Sequence, residues 1–177
     1  QTQNKFFGDR QSSRLPVDGT ALRGNALEIN DVFSVSPTIH SVEFRTGKDA
    51  DGEWVDVIPS DINIDMSLVR LGKEKYDIHC AVCHGDLGNG LGVISKFGVA
   101  PRNLSDASNA GTYLESAGRW TEGQIFHAIS MGSASGIMLG LQDRLTFKER
   151  WAIVLYIRAL QDYVSDATIA LKNNGGS

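Results

Sequence analysis

Cys80-Ala81-Val82-Cys83-His84 constrains this chain more than any other stretch. Two thiols separated by two residues can each add across a vinyl group of a porphyrin, and the imidazole that follows at once can bind the iron. The pattern reads as the attachment site of one covalent c-type haem, with Cys80 and Cys83 as tethers and His84 as an axial ligand. These are the only two cysteines in the sequence. Rival chemistries lack their remaining parts. A structural zinc site takes four protein ligands, and no second Cys/His pair stands at finger-like spacing. A thioredoxin-like redox pair wants a preceding strand in a βαβ context, whereas Lys73-Glu74-Lys75-Tyr76 reads as helix.

A chain of 177 residues with 41% hydrophobic content supports one core with extensions. Its net charge of −4 is dispersed and gives no basic footprint for nucleic acid. The longest apolar run, Trp151 to Ile157, falls far short of the roughly 18 residues that a membrane span needs. No secretory leader stands at the N-terminus. Haem attachment to thiols nevertheless belongs to the outer side of the bacterial membrane, so the motif implies an exported and processed chain on the periplasmic face of the inner membrane.

Three regions are expected: residues 1–64 as a partner-contacting arm and hairpin, 65–163 as the haem domain, and 164–177 as a flexible tail. Gln1 to Asn30 shows no sustained period, yet Phe6-Phe7, Leu15-Pro16-Val17 and Leu22 are too apolar to leave bare, which suits an arm laid against a partner. Val42-Glu43-Phe44-Arg45 and Glu53-Trp54-Val55-Asp56-Val57 alternate apolar and polar residues about Asp49-Ala50-Asp51-Gly52 and read as a small β-hairpin. The aspartates there make a plain turn, because the later ligands of a calcium loop are missing. From Asp61 onward the pattern is helical. Asp65 or Ser67 can cap a helix from about Leu68 to the haem motif, with Gly72 in its middle marking the close approach of another helix. Gly85 to Gly92 is too rich in glycine for a regular element and suits a tight loop passing over a flat macrocycle. Thr121-Glu122-Gly123-Gln124 and Thr146-Phe147-Lys148-Glu149 are capping boxes; the first opens a helix to about Met131, the second a last helix to about Gln161.

The sixth iron ligand separates electron transfer from catalysis. A His/Met pair leaves no open position and raises the reduction potential, whereas an open position suits oxygen or peroxide chemistry. Met138 stands in the loop Gly132 to Gly140 between two helices and is the favoured ligand. Met131, before a glycine that looks like a helix cap, and His127, a helix residue, are the lesser candidates beside no sixth ligand, whereas Met66 starts the attachment helix on the wrong side of the fold and reads as a filler. His40 and His79 read as surface residues. A ligating imidazole usually donates its second N–H to a carbonyl, and the Ala100-Pro101 turn is the expected source, which adds Pro101 to the cofactor site.

From Leu71 to Gln161 the chain resembles a class I cytochrome c, through Gly72 and Tyr76, Cys80 to His84, Pro101-Arg102-Asn103-Leu104, the methionine loop and the final aromatic helix. The resemblance implies an all-α class I cytochrome c domain, extended here by the N-terminal arm and small hairpin, in which Gly72 and Tyr76 meet Trp151 or Leu155 at a helix crossing. Phe6 to Gly24, Leu71 to Ile78 and Arg150 to Gln161 are further similar to the monohaem cytochrome c subunit of alternative complex III, a bacterial quinol:electron-acceptor oxidoreductase. This implies an electron-transfer subunit that is no enzyme by itself. Its partners would be a multihaem cytochrome and other subunits of a membrane complex, with a soluble cytochrome, a cupredoxin or a terminal oxidase as acceptor. In that family the mature N-terminus is often a lipid-modified cysteine. Here residue 1 is Gln, so membrane association runs through partners or through a lost lipid anchor. A freely diffusing periplasmic carrier and a haem enzyme with a labile sixth ligand are the alternatives.

Overall fold

The computed structural model describes residues 40–106 and 120–174, and the expected arm, Gln1 to Asn30, lies outside them. The described residues are mostly helical and contain no sheet. Ser41 caps α1, Val42–Thr46, by accepting the Phe44 N–H at 3.1 Å, and Gly47 ends it in the left-handed region at φ 74°. The first strand of the expected hairpin is therefore a helix. Alternation of apolar residues misled because only Phe44 is buried, stacked on His40 with ring centroids 4.2 Å apart. A single antiparallel bridge, Lys48 to Trp54, remains of the pairing. The turn inside it is built by Asp49, whose carboxylate accepts the N–H groups of Asp51 and Glu53 at 3.0 and 2.8 Å.

Asp65 caps α2, Met66–His79, by accepting the Leu68 N–H at 2.8 Å. Its buried residues Leu68, Gly72 and Tyr76 recur every four positions and form one stripe. The motif follows as α3, Ala81–His84, a single turn ended by Gly85. A 3₁₀ segment spans Val93–Phe97. Thr121 and Gln124 exchange both hydrogen bonds of the expected capping box to open α4, Glu122–Met131, which Gly132 closes. The second box forms at Thr146 and Glu149. The helix it opens, α5, runs Phe147–Asn174 instead of stopping near Gln161. No glycine or proline interrupts Asp162 to Asn174, so nothing local ends the helix before Gly175. Most of the expected tail is thus helical, and residues 175–177 lie outside the description.

The core is set by α2 against α5, the principal helix contact. A Cβ on Gly72 would land on the Ala152 carbonyl and 3.0 Å from the Tyr156 Cβ, so the two helices approach as closely as backbones permit. Tyr76 meets Tyr156 edge-on at 5.2 Å. The crossing thus centres one residue beyond the expected Trp151 and Leu155. Trp151 is turned inward instead: it stacks on Phe126 at 4.4 Å and donates its indole N–H to the Phe44 carbonyl at 2.8 Å. That bond ties α1 to α5. At the rim of the crossing, the Lys75 ammonium lies 3.1 Å from the Glu149 carboxylate.

Gly72→Ala is expected to lower unfolding stability in urea by about 1–3 kcal/mol or more, since the added methyl meets backbone that cannot rotate away. Burial raises the Glu149 pKa, but the Thr146 N–H and Lys75 outweigh it and hold the carboxyl below its usual 4.5. A carboxylate depressed in the folded state contributes stability above its unfolded pKa and loses it as pH falls through the folded value. Chemical denaturation from about pH 6 to about pH 3 should therefore show wild type ahead of Glu149→Gln at the upper end and converging with it at the lower.

Candidate haem site

Cys80 closes α2, its N–H donating to the Tyr76 carbonyl at 2.8 Å, and its side chain is buried. Cys83 is half-buried one turn on, and both are free thiols. Burial, with Cys83 close by, pushes the Cys80 thiol up to about 12, so it rests as a protonated thiol. Among the described residues no three His, Cys, Asp or Glu side chains gather as a metal cluster.

Helix ends leave carbonyls without intrahelical donors. Here the glycine loop supplies the donors. Gly90 N–H reaches the His84 carbonyl at 2.8 Å, Gly92 N–H reaches that of Cys83 at 3.2 Å, and the Tyr76 hydroxyl donates to that of Gly85 at 2.8 Å. Gly85, Gly88 and Gly90 all have φ between 70° and 80°. A Cβ on Gly92 would strike the Cys83 carbonyl. The glycines thus serve the backbone of the motif itself: the loop folds back on α3, and a Cβ at Gly90 or Gly92 would meet a backbone carbonyl.

The same loop sets the histidine. Gly88 accepts the Leu104 N–H at 2.6 Å and the Ser105 N–H at 3.2 Å, which brings residues 101–105 alongside. The Arg102 carbonyl then lies 2.8 Å from His84 Nδ1. A carbonyl only accepts, so Nδ1 carries the proton and the Nε2 lone pair is left for a metal. Burial holds the imidazole below its ordinary pKa, and the Arg102 charge adds to this against the pull of the hydrogen bond, so the ring is neutral near pH 7. The acceptor is one residue beyond the expected Pro101. The reason is the packing of the loop: the Pro101 carbonyl lies 2.7 Å from the place a Gly90 Cβ would take, so it is turned toward Gly90. Pro101 therefore supports the carbonyl-bearing strand and is not itself the acceptor. The Arg102 guanidinium stacks 4.3 Å above Trp120.

Met138 is half-buried in the loop after α4, with Met131 and Met66 exposed at helix ends. The Ser133 N–H donates to the Met138 carbonyl at 2.9 Å, and Gly132 bridges Leu139. Met138 is thus the methionine with an ordered loop built around it. His127 stands at an exposed position with its ring 5.0 Å from Trp54, and partial desolvation of the ring, with the Lys48 charge, lowers its pKa. His40 and His79 are half-buried, deeper than their sequence positions suggested. Exposed apolar side chains cluster on the segments flanking these groups: Val82, Leu87, Leu91, Val93 and Phe97 after the motif, Ile137 and Leu139 beside Met138.

Two tether thiols, a neutral imidazole with a directed lone pair, and apolar segments around them fit a haem. The protein-family model described as cytochrome c matches residues 69–161, more than half of the chain. The chain belongs to the cytochrome c family. Membership in the cytochrome c family implies covalently bound haem c and haem-mediated electron transfer, and marks the chain as an electron carrier. Among solved structures this cytochrome is similar to cytochrome cL from the marine methylotroph Methylophaga aminisulfidivorans, at 21% identity over 73% of this chain and 79% of that one, with a TM-score of 0.45. It is also similar to a chain of a reducing HAO-like protein complex from Kuenenia stuttgartiensis, at 19% identity over 62% of this chain, with a TM-score of 0.45. It spans 50% of that chain's length. Comparison with curated proteins gives no match.

Sequence reasoning missed Arg102 as the imidazole acceptor and Ser133 as a partner of Met138. The Pro101-Arg102-Asn103-Leu104 run pointed to the right strand, but a backbone carbonyl carries no residue signature. Asn103 was a readable clue, since its side chain accepts the Ser105 and Asp106 N–H groups at 3.0 and 3.2 Å and bends the strand beside the loop.

Proposed function

We propose that this cytochrome carries one haem c, tethered by Cys80 and Cys83 and held axially by His84 and Met138, and passes single electrons as a subunit of a membrane quinol-oxidising complex. The observation that carries His84 as an axial ligand is its Nδ1 to Arg102 carbonyl bond, because it fixes the tautomer and ring plane that an iron ligand requires, and Met138 is supported by its half-buried place in the loop after α4. Bound haem supplies a one-electron ferric/ferrous couple. The protein's part is to hold its ligands still. The Tyr76 hydroxyl pins Gly85 at the end of the motif, and the glycine loop pins Cys83 and His84, so the imidazole cannot swing when charge changes beside it. No side chain is asked to move a proton or a substrate bond.

The subunit reading is supported by the likeness of Phe6 to Gly24, Leu71 to Ile78 and Arg150 to Gln161 to the monohaem subunit of alternative complex III. In it, electrons arrive from a multihaem cytochrome and leave to a soluble cytochrome, a cupredoxin or a terminal oxidase at the periplasmic face. Among the described residues no helix is long and apolar enough to cross a membrane. Attachment in this reading is through partner subunits or a lipid anchor.

Two measurements test the proposal. Wild type should show a low-spin c-type optical spectrum with a weak red sulfur-to-iron band that vanishes in Met138→Ala; a surviving band transfers the role to Met131, and a high-spin wild type removes the His/Met reading. Deleting Gln1–Asn30 should abolish co-purification with a multihaem cytochrome from membranes, and unchanged location and partners would instead make the protein a diffusing carrier.

A further inference from the structure

We propose that Ser133 is the positioning residue for Met138, acting as a two-way clamp on the methionine backbone; this rests on the reading of Met138 as the sixth ligand. The Ser133 N–H donates to the Met138 carbonyl at 2.9 Å, and the Met138 N–H donates to the Ser133 hydroxyl oxygen at 3.1 Å. One residue therefore engages both backbone polar groups of Met138. The Ser133 hydroxyl lies 3.0 Å from that of Ser135, and a donor to that neighbour leaves its own oxygen free to accept. Ser133 is exposed, so its side chain adds no core packing; what it contributes is the hydrogen bond.

The surroundings show why a clamp is needed at this point. The base of the loop is already fixed: the Arg150 guanidinium, itself buried between the Phe126 and Phe147 rings, donates to the Ser130 hydroxyl. Leu141 N–H returns to the Ile129 carbonyl at 2.9 Å. Gly132, at φ 85°, and Gly140 let the two legs touch: a Cβ on the first would land on the Met138 carbonyl, and one on the second on the Ser130 carbonyl. Beyond those legs, residues 133–137 are largely exposed and have few packing contacts to hold their shape. A thioether on a long, unbranched side chain finds one position only if its backbone is held. The Ser133 pair closes the loop at the residue that bears it.

The test is imidazole binding to the ferric protein, since imidazole competes with the thioether for the sixth position. Ser133→Ala should raise imidazole affinity about five-fold, the factor that one hydrogen bond worth about 1 kcal/mol supplies, and should speed exchange of the Met138 amide hydrogen. Ser133→Thr, which keeps the hydroxyl, should restore both. An unchanged imidazole affinity in Ser133→Ala, with the sulfur-to-iron band present in wild type, overturns the clamp alone and leaves Met138 as ligand. Absence of that band in wild type overturns the ligand reading and the clamp with it. A fall in global unfolding stability with no change in imidazole affinity assigns Ser133 a purely structural role.

Discussion

The close approach of α2 and α5 at Gly72 governs the rest of the molecule. A glycine inside a helix costs about 1 kcal/mol against alanine. It is recovered here because the missing side chain lets a whole turn of α5, Ala152 to Tyr156, lie against α2. From that crossing α2 has about two turns left before Cys80, so the position of the first thiol is set by the crossing and not by local preference. Across the same helix α5, Trp151 and Arg150 look the other way, toward α1, α4 and the root of the methionine loop. One helix thus references both sides of the proposed iron site.

Between those sides the chemistry is mostly that of the backbone. Gly90 and Gly92 supply donors to the His84 and Cys83 carbonyls at the end of α3, Gly88 and the Tyr76 hydroxyl share that of Gly85, and the segment that the loop helps to dock brings the Arg102 carbonyl to His84. Electrostatics follow from the packing. A half-buried imidazole with its one proton committed to a carbonyl remains neutral, which is the form that can bind iron.

The features written in side-chain type were legible in the sequence. The two capping boxes announced α4 and α5 because a hydroxyl three residues before a Glu or Gln has one obvious use. Gly72 announced a crossing and Cys80 to His84 announced the site. What depended on three-dimensional context was less readable. The alternation at Val42 to Arg45 mimicked a strand, whereas a serine cap and a terminal glycine made a helix of it. The acceptor for His84 was misplaced by one residue because any residue offers a carbonyl. The end of α5 was set early because burial stops near Gln161, while helix propensity does not.

The burial of Cys80 also bears on the order of events in time. A side chain with 7% of its surface open is poorly placed to meet a bulky porphyrin. Cys80 belongs to the same buried cluster as residues far from it in the chain, and elsewhere in that cluster the Trp151 to Phe44 bond spans 107 positions. Ring closures of that length lose more chain entropy than the short turn that forms α3, and so they lag behind it. In the proposed reading of Cys80 as a haem tether, the covalent step would accordingly fall in an interval in which the motif is already coiled but the two long helices have not yet met. On that reading maturation would be a race between ligation and collapse, with the slow closure of a large loop keeping the first thiol within reach.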